Sequence, residues 1–248
     1  MQNKSFRHKV KNILVQLNIP LTQNIRYDIY TRNIMKRVLK HDSCGIDIGC
    51  HEGEILDDMM HFAPAGKFYA FEPLPDLFKN LCRKYAEMPV VVSPIALFDK
   101  KGTTPFNYVE NAPAYSGIRK RSYDIPDAHI REVTVETDLL DNVIPLDFPV
   151  RFIKIDVEGA EFAVLKGAIK ILRRHRPVVI FECGLGAADF YGTVPKEVYS
   201  FLTADAGLKL NTLSGFLKKV PCLDSKTFCN LFENKEEYYF IAYSDELI

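Results

Sequence analysis

The sequence predicts an α/β fold, a mostly parallel sheet with helices on both faces. Three observations predict it. Strand-like and helix-like stretches alternate from about residue 45 onward, the strands are short and largely apolar, and turn residues punctuate the changes of period. Continuous apolar strands are buried on both faces, and strands separated by helices connect by right-handed crossovers into a parallel sheet.

The elements follow in order. Gly45 to Gly49 reads as a strand, followed by a helix with Ile55, Leu56, Met59 and Met60 on one face. Lys67 to Phe71 is the next strand, and Leu74, Leu77, Phe78, Leu81 and Tyr85 share the face of the helix after it. Val90 to Ile95 is a third strand. The stretch near 103–137 breaks the rhythm: Thr104–Val109 and Glu132–Thr137 read as exposed strands flanking a loop rich in Pro, Tyr and Arg. Arg151 to Asp156 resumes the pattern, with one helix carrying Phe162, Leu165, Ile169 and Leu172. Val178 to Glu182 is another buried strand, Pro195 and Gly207 bracket a helix, and Tyr238 to Tyr243 is the last strand. No linker or repeat divides the chain, so residues 23–248 form one domain after an extension at 1–22.

Composition narrows the function classes. The 248 residues hold 32 Lys+Arg and 32 Asp+Glu, for a formal net charge of zero and a pI near 7.0. Non-specific nucleic-acid binding rests on an excess of basic charge, so no nucleic-acid partner is expected. No apolar run approaches the roughly 20 residues that span a bilayer. The six cysteines form neither a C-x-x-C pair nor a Cys/His cluster with zinc spacing, which predicts reduced thiols, a cytoplasmic protein and no metal site.

Phe6, Val10, Ile13, Leu14 and Leu17 fall on one helical face beside Lys4, Arg7, Lys9 and Lys11. Such a face packs on the body or on a second copy in a homodimer, or it lies on an anionic membrane surface through residues 4–19.

Four groups of residues carry chemistry. Asp47, Gly49, Cys50, His51 and Gly53 lie where a strand turns into a helix, the place where open α/β sheets bind ligands. A dinucleotide turn requires G-x-G-x-x-G, but starting from Gly49 the other two glycine positions hold His51 and Glu54, and Glu54 opposes a pyrophosphate. A nucleoside without phosphates avoids that repulsion. Glu72 follows Gly49 by 23 residues, at a strand end beside Pro73; an acid at this spacing suits the two ribose hydroxyls. Asp156 and Glu158 cluster at a later strand end, and Glu182 ends the following one. Gathered carboxylates repel one another, which suits general-base or metal work. Tyr115, Arg119, Lys120, Arg121, Tyr123 and His129 lie in the 111–130 loop, which as a lid brings aromatic faces and basic charge to an acceptor.

Together, D-I-G-C-H-E-G at 47–53, F-E-P at 71–73, A-L-F-D-K-K-G at 96–102, K-I-D-V-E-G-A-E at 154–161 and P-V-V-I-F-E at 177–182 resemble the FkbM-type S-adenosylmethionine-dependent methyltransferases. The resemblance covers about residues 25–245, and the block at 154–161 is its most specific part. His51 stands where the family more often has asparagine, and Pro94 where asparagine is common. The resemblance implies a Rossmann-like class I methyltransferase fold with seven strands, the last antiparallel. It also implies S-adenosyl-L-methionine as cofactor and O-methylation of a sugar, glycan or small secondary metabolite. On that basis Asp47, Gly49, Cys50, His51, Gly53, Glu72, Pro73, Ile95, Ala96 and Asp156 are expected at the cofactor. Asp156, Glu158 and His51 are expected in catalysis, and Tyr115, Arg119, Arg121 and Glu182 at the acceptor. A divalent metal is compatible with this chemistry but not expected. The competing expectation is a non-catalytic nucleoside-binding protein that keeps the fold.

Overall fold

The computed structural model describes residues 17–121 and 127–247, with Lys11, Leu14 and Val15 before them. Most of the expected N-terminal amphipathic face, and Tyr123 of the loop, lie outside the described residues.

A helix α1 (Gln23–Val38) leads into the sheet. The Thr22 hydroxyl caps it by accepting from the Ile25 amide at 3.2 Å, and Lys36 and Arg37 complement the dipole at its end. The strands β1 (Cys44–Ile48), β2 (Phe68–Phe71) and β3 (Val90–Ser93) follow, with α2 (Glu54–Phe62) and α3 (Pro75–Lys84) between them. Next come β4 (Ala96–Leu97), β5 (Gly102–Val109), β6 (Ile130–Asp138) and the short α4 (Leu140–Val143). The chain continues through β7 (Val150–Ile155), α5 (Glu161–Lys166), α6 (Ile169–His175) and β8 (Val178–Glu182). It ends with α7 (Pro195–Ser200), β9 (Lys209–Thr212), α8 (Leu213–Lys218), α9 (Ser225–Glu233) and β10 (Tyr239–Tyr243).

The main sheet has seven strands in the order β3-β2-β1-β7-β8-β10-β9. β10 alone runs against its neighbours, pairing antiparallel with both β8 and β9. This is the mostly parallel, seven-stranded architecture that the sequence predicts. Two cores sandwich the sheet: Ile46, Ile48, Ile153, Ile155, Phe181 and Phe240 face one, while Phe68, Phe152, Ile180 and Ile241 face the other. Burial on both faces explains why these strands read as continuous apolar runs rather than alternating ones.

Three expectations are corrected. The third strand stops at Ser93, because Pro94 has no amide hydrogen to donate to a ladder. The two residues after Ile95 then pair with β6 instead, so β4, β6 and β5 form a separate three-stranded sheet with Leu74, Ala96, Phe106 and Val135 in its own small core. The helix expected through Leu172 is two helices broken at Gly167 and Ala168. The cause is Asp141, whose carboxylate accepts from the Lys170 and Ile171 amides at 2.8 and 3.0 Å and caps a new helix there. The helix bracketed by Pro195 and Gly207 is α-helical only to Ser200 and then widens into a π-turn over Phe201–Asp205.

Candidate active site

β1 and β7 lie side by side in parallel, with Asp47 opposite Lys154 and Ile48 opposite Ile155. The two turns that follow them therefore emerge together. At Gly49, with φ +78°, a β-carbon would lie 1.8 Å from the Asp156 carbonyl oxygen, so only glycine lets the turns close on each other. His51 (φ +48°) and Glu158 (φ +58°) also adopt left-handed backbone. Asparagine is the side chain most at ease there, and histidine is tolerated, which accounts physically for this departure from the family pattern.

Three clefts meet above these turns. The first is largely apolar: Phe71, Leu74, Ile95 and Leu97 line it, Glu72 and Pro73 are on its floor, and Pro113, Ala114 and Ile118 of the 103–137 insert roof it. A second, polar cleft runs between the insert and the C-terminal strands, past Tyr115, Arg121, Glu158, Glu182 and Tyr239. The third passes over Asp47, Cys50, His51 and Lys154. Ala114 and Asp156 line all three.

Glu72 is buried at the floor of the apolar cleft. Its Oε2 accepts from the His51 amide at 2.9 Å and its Oε1 from the Leu74 amide at 3.0 Å. Each oxygen keeps a lone pair for a hydroxyl of a ligand. Burial pushes Glu72 up to about 7 despite these two donors. Asp47 is likewise buried and pushed up to about 7, chiefly by loss of solvent and only partly relieved by Lys154; its Oδ2 has no hydrogen-bond partner.

Asp156 has the opposite balance. Burial works against its charge, but Lys154 at 2.9 Å, the Tyr239 hydroxyl and Glu182 outweigh it and hold the carboxyl below the usual range. Glu182 rises to about 8 through burial and the neighbouring charges of Asp156 and Glu161. Of this carboxyl pair, Asp156 is the charged member at neutral pH and Glu182 is the member that retains a proton. Glu161 is structural: its Oε1 accepts from the Val157 and Gly159 amides at 2.9 and 3.1 Å and braces the turn that carries Glu158.

The expected residues therefore gather, with exceptions. Gly49, His51, Glu72, Pro73, Ile95, Ala96 and Asp156 line the apolar cleft, and Asp47 and Cys50 line the third. Gly53 lines none of the clefts; it starts α2 with φ +80° against the Tyr85 hydroxyl. Arg121 reaches the polar cleft but pairs there with Glu158, and its guanidinium stacks 5.3 Å over the Tyr115 ring. Arg119 is turned away. Its guanidinium donates to the Phe190 carbonyl at 2.8 Å and its amide to the Tyr191 hydroxyl at 2.8 Å, so it fastens the insert to the body. His129 and Lys120 are exposed and line none of these clefts. Sequence reasoning missed Lys154, Tyr239 and Ala114. Lys154 carried a signal, since a lysine inside an otherwise apolar strand requires a partner. Among the described residues no group of His, Cys, Asp and Glu is placed to hold a metal, and no helix is long and apolar enough to cross a membrane.

Glu72 and Asp47 set one titration. Their pKa values are higher in the folded state than in an unfolded chain, so between about pH 4 and pH 7 the native state holds protons the unfolded state has lost. Stability from these groups therefore falls as pH rises through that window. Thermal melting between pH 5 and 7.5 is expected to show this fall, and Asp47→Asn is expected to make it shallower, with Glu72 and Glu182 still contributing. A melting temperature that climbs across the window contradicts burial as the cause.

Comparison with known proteins agrees with this geometry. The chain is 29% identical over 152 residues to methyltransferase sdnD of Sordaria araneosa, a match spanning 49% of this chain and 59% of that protein. It thus spans little more than half the length of this curated relative. The crystal structure of the methyltransferase FkbM from Methylobacillus flagellatus superimposes with a TM-score of 0.51 at 13% identity, covering 94% of this chain and 58% of that one, a likeness of fold. The model of the methyltransferase FkbM domain family matches residues 47–210, from the buried acid of β1 to the middle of β9, and the chain belongs to that family.

Proposed function

We propose that the chain is an S-adenosylmethionine-dependent methyltransferase that methylates a hydroxyl group of a sugar, glycan or small secondary metabolite. The observation that carries this reading is Glu72, a buried carboxylate fixed by two backbone amides at the floor of an apolar cleft that opens onto a charged Asp156. The residues fit the cofactor. Phe71, Leu74, Ile95 and Leu97 offer apolar faces to an adenine, Glu72 offers lone pairs to the ribose, and the orphaned Asp47 oxygen suits an ammonium group. Bound there, S-adenosylmethionine supplies a methyl group on a positively charged sulfur.

The chain's own contribution is placement and proton transfer. Asp156, common to all three clefts, is the residue placed to take the proton of the acceptor hydroxyl. Glu158 is engaged by Arg121, so this pair serves to seat the acceptor, with Tyr115 and Glu182 on the same cleft. His51, on the wall between the first and third clefts, is a second candidate base, and its backbone amide fixes Glu72.

Calorimetry with S-adenosylhomocysteine and NAD⁺ side by side tests the nucleoside assignment: the first is expected to bind and the second not to. Asp156→Asn is expected to lower methyl transfer from labelled cofactor into a small-molecule extract by about 100-fold or more, while S-adenosylhomocysteine affinity stays within a few fold. Transfer at the wild-type rate removes Asp156 from the chemistry.

A further inference from the structure

Lys154 is a lysine in the middle of the sheet, 4% exposed, and Tyr239 lies on the one antiparallel strand. Neither belongs to a glycine turn or to a strand-end acid. Both nevertheless end on the same atom. Lys154 Nζ is 2.9 Å from Asp156 Oδ2, and the Tyr239 hydroxyl donates to that same Oδ2. The ammonium also sits 4.6 Å from the centroid of the Tyr239 ring, so cation, ring and carboxylate form one closed contact.

We propose that Lys154 and Tyr239 are positioning residues for Asp156, anchoring one carboxylate oxygen so that the carboxylate stays charged and presents its other oxygen toward the acceptor cleft. The proposal rests on the reading of Asp156 as the base.

The surroundings make this anchoring necessary. Asp156 is faced by Asp47 from β1, Lys154 from β7, Glu158 and Glu161 from the turn and α5, Glu182 from β8, Tyr239 from β10 and Arg121 from the insert. Asp47 and Glu161 oppose a further negative charge, Glu182 supports it only while it keeps its own proton, and Arg121 is committed to Glu158. A carboxylate in such company protonates unless a close cation offsets it. Lys154 is that cation. Its strand fixes it two residues before Asp156, and Asp47 lies opposite it in register. Tyr239 arrives by a separate route, paired in register with Glu182, which places its hydroxyl beside both members of the carboxyl pair. Two donors on Oδ2 leave Oδ1 for the acceptor hydroxyl and for the proton-bearing Glu182. A carboxylate held by only one donor rotates freely about its terminal bond.

The test reads ionisation directly and requires no acceptor. The full chain is labelled with carboxyl-¹³C aspartate, and Asp156→Asn identifies the Asp156 resonance. In the wild type the titration midpoint of this resonance is expected to lie below that of an ordinary aspartate. In Lys154→Met the titration midpoint is expected to rise by more than about 1 pH unit, and in Tyr239→Phe by a smaller amount, about half a unit. Circular dichroism establishes that each variant is folded. If Lys154→Met does not fold, Tyr239→Phe, which removes one hydroxyl, decides the matter. Unmoved midpoints in the folded variants overturn the proposal, and a shift confined to Lys154→Met overturns the part given to Tyr239. Calorimetry of the wild type with S-adenosylhomocysteine is run alongside. An absence of binding there overturns the methyltransferase reading, whereas the NMR midpoints decide only the anchoring of Asp156.

Discussion

Glu72→Ala is expected to lower S-adenosylhomocysteine affinity by about 100-fold or more in calorimetry, the largest effect of any single side chain in the site. Each Glu72 oxygen already accepts one backbone amide, so the carboxylate cannot turn away to be replaced by water. Hydrogen bonds to a charged group contribute about 1.5–3 kcal/mol each, and two ribose hydroxyls account for a loss of that size. The variant also strands the His51 and Leu74 amides, so a lower melting temperature accompanies the loss. Glu72→Gln separates the two effects: it restores an acceptor for one amide and is expected to recover stability more than affinity. Affinity within threefold of wild type in Glu72→Ala removes the ribose role altogether.

The second large effect is expected in Gly49→Ala. A β-carbon there meets the Asp156 carbonyl oxygen at 1.8 Å, backbone against backbone, where no side-chain rotation brings relief. The left-handed conformation adds its own penalty. Together these cost on the order of 3 kcal/mol, or about 10 °C of melting temperature in a domain of this size. Because the displaced atom belongs to Asp156, methyl transfer is expected to fall even at temperatures where the variant is fully folded. Gly192→Ala is the control, since it shares the left-handed backbone (φ +70°) but a β-carbon there meets nothing within 4 Å. Equal melting temperatures for the two alanine variants show that the β1 and β7 turns do not touch as described.

The cleft-lining ends of β1, β2, β7 and β8 were legible in the sequence because the signal is local. An apolar run stops, and a glycine or an acid stands at the next position. What escaped notice depends on contacts between distant segments. The break is marked in the sequence only by Gly167 itself, and the carboxylate that starts the second helix comes from Asp141 across a strand. Arg119 and Arg121, two residues apart in one basic run, diverge completely: one fastens the insert to Phe190 and Tyr191, the other pairs with Glu158 inside the cleft. Sequence spacing cannot separate them when the backbone between them is irregular. β9 was missed because Lys209 to Thr212 mixes polar and apolar residues at a sheet edge, where one side needs no burial.

The pairing of β1 with β7 joins residues 44–48 to residues 150–155, across three strands, two long helices and the whole insert. Contacts so remote in sequence close slowly, because the intervening loop must give up its freedom before the pairing can repay it. Both halves of the site therefore exist only once this long-range pairing has formed, and an unfolded or half-assembled chain has no such cleft. Binding free energy then adds in full to folding free energy, amounting to about 2.7 kcal/mol at a hundredfold excess of ligand over Kd. A molecule that occupies the cleft is thus also a chemical chaperone for this chain, selecting finished copies from unfinished ones.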